Sequence, residues 1–213
     1  MFINRLTVSN KLKLIKVKFY PQKIIIYNYS NVKKHTACKI ADLINRQIQT
    51  EQQVAQHYLS LAVTFLNVKS LYHGAGGFFM KMYFEELDHM QGFIKYQLIR
   101  GNIPNICGIE KPNLPDNLPL IEAFRYSLKM EEQVNQLLEE IVTEANDIKD
   151  YHCADFVTSV YLSEQIQSIN EINHYIIKLS SFGDDIHAIH NFDTSLIKLF
   201  PFSNRLNLSK TKL

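Results

Sequence analysis

An all-α fold, four long helices in an up-down bundle with one long crossover connection and a short fifth helix, is what this 213-residue sequence predicts. Three observations carry that expectation. Breakers are few: seven Gly and six Pro leave long uninterrupted stretches and no array of short alternating strands. Apolar residues recur at i, i+3, i+4 spacing in four separate segments, the period of a helix with one buried face. Each of the four stripes is broken near its middle by a polar residue where an apolar one belongs. No run of about 18 apolar residues occurs that would span a bilayer.

The first helix is expected from Cys38 to Asn67, on a stripe that includes Ile40, Ile44, Ile48, Val54, Tyr58 and Phe65, with Glu51 in a slot that suits leucine. The second runs from His73 to Arg100. Gly74, Gly76 and Gly77 weaken its first turns, at roughly 1 kcal/mol each against Ala in a helix interior. Its inner face reads Phe79, Met82, Glu86, His89, Met90 and Phe93, and Gly101 suits the left-handed position after its last residue. Residues 102–118 hold Pro104, Pro112 and Pro115 and show no period; about 17 residues are too many for a helical hairpin, so they cross the length of the bundle.

Pro119 suits the first turn of a third helix, expected to run to Ile148 with Phe124, Leu128, Val134, Leu138 and Ile141 inward and Glu131 as the intruder. A fourth helix is expected from His152 to Phe182, ended by Gly183, on Ala154, Val157, Tyr161, Ile169, Ile172 and Leu179; its intruder is Gln165. Ile186 to Phe200 makes a short fifth helix stopped by Pro201. The division is thus a leader (1–37), one helical domain (38–200) and a tail (201–213).

The formal net charge of +2 hides an asymmetry. Nine of the 23 Lys and Arg lie in residues 1–41, which hold no acid, leaving 14 basic against 21 acidic residues, a balance of −7, from Asp42 onward. An acidic folded part makes a poor nucleic-acid binder and attracts cations. Cys38, Cys107 and Cys153 are widely spaced and odd in number, which suits free thiols in a reducing, intracellular compartment. The leader reads as a mitochondrial-type transit peptide or as a basic disordered leader of a cytoplasmic protein; it is acid-poor and basic, but nearly all Lys where transit peptides favour Arg.

Glu86 and His89, three apart on one helical face, lie close enough to share one ion. One such pair alone is compatible with a satisfied core histidine. Three carboxylates (Glu51, Glu86, Glu131), an imidazole (His89) and an amide (Gln165) converging in one core would repel and stay desolvated without cations. Oxygen-rich ligands with one histidine suit iron, and the number is enough for two ions bridged by a carboxylate. The set is lopsided: the fourth helix offers Gln165 and Ser168 in place of a second Glu-x-x-His. The second ion is therefore held weakly, as suits iron that is oxidised and leaves, so that iron is substrate as well as cofactor. Tyr58, on the Glu51 face, can hydrogen-bond the site, give up an electron, or serve as a core aromatic.

The chain resembles the ferritin family, specifically its catalytic heavy-chain type, over Cys38 to Gly183. The resemblance is carried by Ile44-Asn45-Arg46-Gln47-Ile48, Tyr58-Leu59-Ser60, Glu85-Glu86-Leu87-Asp88-His89, Lys111-Pro112, Val134-Asn135-Gln136, Asp155-Phe156 and Tyr161-Leu162-Ser163-Glu164-Gln165. It implies that Glu51, Glu86, His89, Glu131 and Gln165 are the ferroxidase ligands and Tyr58 the site tyrosine. It implies as well a hollow shell of 24 like or mixed ferritin subunits, oxidation of Fe(II) by O2 at a dinuclear centre, and storage of the ferric mineral. Glu85 and Asp88 match two places of the family's nucleation row, with Gln91 in the third; Asp155 matches one pore place, with Thr158 and Val142 in the other two. A slower storage subunit that depends on partner subunits is the alternative. A di-iron oxygenase acting on an organic substrate would call for a second histidine where Ser168 stands.

Overall fold

The computed structural model describes residues 31–115 and 117–203, and of residues 31–38 the backbone alone. Readings of the leader before residue 31, of the Cys38 thiol and of the tail from residue 204 lie outside the described residues. Among the described residues lie six α-helices and one π-helical turn: α1 (Asn31–Leu66), α2 (His73–Ile99), α3 (Leu120–Asp147), α4 (Tyr151–Phe156), the π turn (Val157–Leu162), α5 (Ser163–Phe182) and α6 (Ile186–Leu199). The residues at the joints of the π turn keep right-handed helical dihedrals, so α4, the π turn and α5 form one continuous fourth rod.

One boundary is corrected here: α1 is described from Asn31, seven residues before the expected start at Cys38, and no Gly or Pro lies between 31 and 37. The fourth rod carries a π turn that its periodicity does not announce. Val157, Tyr161 and Gln165 follow one another in two steps of four, as on one face of any α-helix, and all three are buried.

The helix ends follow from local chemistry. Gly101 takes φ 80° after α2; its amide donates to Leu98 O (3.0 Å) and the Asn102 amide to Gln97 O (3.0 Å), the paired bonds of a Schellman motif. The same pattern closes α3 with Lys149 at φ 61°, its amide donating to Asn146 O and the Asp150 amide to Ala145 O. Asp150 then caps α4 by accepting from the Cys153 amide and pairs with Arg100 at 2.5 Å, which ties the turn to the end of α2.

The connection crosses the bundle as expected. It runs beside α1 in the same direction: the Asn105 amide donates to Asn45 Oδ1 (3.1 Å), and Gln53 Nε2 donates to Glu110 O (2.9 Å) while Gln53 Oε1 accepts from the Glu110 amide (2.8 Å). This return leaves α3 antiparallel to α1, as Arg46 to Glu140 and Tyr58 to Glu131 show.

The start of α2 differs in character from the sequence expectation. Gly74, Gly76 and Gly77 are buried instead of frayed. A Cβ on Gly74 would come within 2.1 Å of Asp193 O, and one on Gly77 within 2.1 Å of Phe200 O, so the glycines are the space into which α6 settles. Asp193, 1 % exposed, accepts from the Gly74 and Ala75 amides at 3.0 and 2.8 Å and satisfies the donors that begin α2. Around this end Phe78, Phe79, Phe124, Tyr175 and Phe192 pack ring to ring.

Candidate metal centre

Four rods contribute to one buried polar cluster, and each contributes its intruder. Glu51 is 0 % exposed, Glu86 2 %, Glu131 1 % and Gln165 3 %; Tyr58 is fully buried and His89 partly so. One ligand atom each from Glu51, Glu86 and His89 lie within 4.8 Å of one another, on α1 and α2. Glu131 on α3 faces them across the core. It accepts short hydrogen bonds from the Tyr58 hydroxyl and from Gln165 Nε2, which also donates to the Glu131 carbonyl at 3.0 Å.

The electrostatics of the cluster are those of a site built for positive charge. Burial pushes the Glu51 carboxyl well above the usual range, and the like charge of Glu86 pushes it further. Burial, then Glu131, does the same to Glu86. Glu131 is raised by burial as well, against the hydrogen bonds from Tyr58 and Gln165 that favour its ionised form. Two oxygens, Glu51 Oε2 and Glu86 Oε2, are buried without a hydrogen-bond donor. A buried orphan acceptor costs about 1–3 kcal/mol, more when charged. A divalent cation satisfies both at once, so the residues present fit a metal.

Two side chains outside the expected set hold the cluster in place. Gln47, four residues before Glu51, donates from Nε2 to Glu51 Oε1 at 2.7 Å. Its i, i+4 spacing was the signal available in the sequence. Glu164, next to Gln165, lies 3.3 Å from His89 Nε2, while His89 Nδ1 lies 3.5 Å from Glu86 Oε2. An imidazole held at one nitrogen by a carboxylate keeps the other aimed.

Of the other candidate acids, Glu85 lies near enough for its charge to raise the Glu86 and Glu131 carboxyls. Glu85 is half-buried and pairs with Lys81 at 2.6 Å; Asp88 and Gln91 are exposed on α2. Asp155 is exposed and accepts from the Ser159 hydroxyl at 3.2 Å. Thr158 is exposed, whereas Val142 packs against the core.

A bundle of four rods with a carboxylate-rich cluster at mid-height defines a ferritin-like domain, and the Ferritin-like domain family matches residues 41–182. The chain belongs to the ferritin family. It is 32 % identical over 149 residues to the middle subunit of ferritin from Aquarana catesbeiana, covering 70 % of this chain and 84 % of that one. It is 30 % identical over 174 residues to the chloroplastic ferritin of Phaseolus vulgaris, covering 79 % and 67 %.

Proposed function

We propose that this chain is an iron-storage subunit of the heavy-chain type, which binds two Fe(II) ions among Glu51, Glu86, His89, Glu131 and Gln165, passes their electrons to O2, and releases Fe(III) for storage in a shell of 24 such subunits. The observation that carries this reading is the pair of orphaned buried oxygens on Glu51 and Glu86 beside His89. Iron is the substrate here. Bound between the carboxylates, two ions supply two electrons to one O2. The chain's own contribution is to bind and to let go. Glu51, Glu86 and His89 hold one ion; Glu131 and the neutral Gln165 give the second fewer charges, and a lightly held ion leaves once oxidised. Tyr58, donating to Glu131, fixes the orientation of that carboxylate and stands where it can lend an electron.

Glu85, Asp88 and Asp155 are proposed as acids that meet iron outside the centre. With Thr158 and Val142 in the other pore places, that approach carries less negative charge, and supply along it is slower. The basic leader fits an organelle address, and a chloroplastic ferritin is among the relatives. A reporter fused to residues 1–37 is expected in mitochondria; a cytosolic reporter would remove this part of the reading.

The decisive test adds about two Fe(II) per chain to anaerobic apoprotein, admits air, and follows oxygen uptake and ferric absorbance. Light scattering on the same sample reads particle size. Rapid oxidation by a large particle, lost by at least about 100-fold in Glu86→Ala/His89→Ala, is expected. Wild-type rates in that double variant would refute the site. Slow oxidation by an intact particle would leave a storage subunit without a working centre.

A further inference from the structure

The π turn brings against the candidate centre a side chain that belongs to none of the ligands. Tyr161 is nearly buried, its ring stacked on Phe93 (centroids 4.1 Å, 20°) and edge-on to Phe156 (5.3 Å, 80°). It meets the His89 imidazole at 85°, with centroids 5.5 Å apart. Its hydroxyl rests on Gly92: a Cβ there would come within 2.1 Å of the oxygen and 3.4 Å of ring carbon Cζ. Gly92 lies inside α2, so no turn requires a glycine at this place. What it provides is room. His89, Gly92 and Phe93 are three and four apart on α2, and Tyr161 therefore lies across one ridge of that helix, from the imidazole to the glycine.

The plane of the His89 ring matters because its two nitrogens face different partners. Nδ1 looks toward Glu86 and Nε2 toward Glu164, at 3.5 and 3.3 Å. A rotation of the ring loses both. We propose that Tyr161, seated over Gly92 by the π turn, is a positioning residue that holds the His89 imidazole in the plane that turns Nδ1 toward the Glu51 and Glu86 carboxylates. This rests on the metal-centre reading above. It adds to it a reason for the wide turn: an α-helical register would rotate Tyr161 off the imidazole.

The test uses Co(II), which binds without turnover and reports its ligand geometry in the visible spectrum, on four assembled proteins: wild type, Gly92→Ala, Tyr161→Phe and the double variant. Gly92→Ala is expected to weaken Co(II) binding by about 10-fold or more and to shift the visible bands, the size typical of losing a ligand-orienting group. Helix preference opposes that loss, since Ala is the better helix former. Tyr161→Phe keeps the ring and is expected to bind within about twofold of wild type. The double variant is expected to recover, because the new methyl takes the place of the missing hydroxyl.

Wild-type affinity and spectrum in Gly92→Ala would overturn the proposal. So would a Gly92→Ala defect that the double variant fails to rescue, or a fall in melting temperature with the Co(II) spectrum unmoved. Should Gly92→Ala fail to assemble, Tyr161→Leu removes the ring without adding a clash and is expected to show the same loss; wild-type binding there overturns the proposal as well. A wild-type protein that binds no Co(II) overturns the metal-centre reading itself, and that result is separate because it appears in the first titration.

Discussion

A buried carboxyl whose oxygen has no donor must be protonated or bound to a cation, and in this protein that choice falls on Glu51 and Glu86. Stability and function therefore pull in opposite directions at single residues. Glu51→Gln keeps the shape and removes the charge. The apoprotein is expected to gain about 1 kcal/mol or more against urea, as replacing buried ionic groups often does, while metal affinity falls. A loss of apoprotein stability would mean that Glu51 is better satisfied than its geometry indicates. At this scale the residues of the buried polar cluster were legible because each stood out as a polar residue on an apolar stripe. Gln47 and Glu164 were not: an uncharged amide beside Ile48 does not mark a site by its charge, and Glu164 meets His89 across two elements 75 residues apart in sequence.

The elements were legible from period and punctuation, and their departures share one physical cause: space that only a partner defines. Two steps of four, Val157 to Tyr161 to Gln165, fit an ordinary α-helix, so the period alone does not mark the π turn. Glycines at 74 and 77 read as weakness until α6 is laid on them. Gly77→Ala therefore carries a reversed expectation. Helix propensity favours it by about 1 kcal/mol, but its methyl meets the Phe200 carbonyl at 2.1 Å, a backbone atom that cannot turn away. A net destabilisation of about 1–3 kcal/mol is expected in thermal unfolding. At the turn between α3 and α4, burial alone would raise the Asp150 carboxyl, but the Arg100 guanidinium and the Cys153 amide outweigh it and hold it below its usual range. A lowered folded value contributes stability that is present above the ordinary Asp range near pH 4 and lost as pH falls through the folded value. Asp150→Asn keeps a capping oxygen and loses the ion pair. The stability gap between wild type and this variant is expected to be open at pH 6 and to close below about pH 4 in urea titrations; a gap constant with pH would assign the effect to the cap.

At the scale of the whole molecule, the acidic balance of the folded part attracts cations, and the buried Glu51, Glu86 and His89 group is one that could hold such an ion. The order of the chain adds a constraint in time. The amides of Gly74 and Ala75 find their acceptor in Asp193, 119 and 118 residues later. In a chain made from its N-terminus, the first turn of α2 keeps open donors until Asp193 in α6 has been made. A nascent chain cut short before Asp193 is left with those amides and the aromatic end of its core uncovered, a mark that quality control can read.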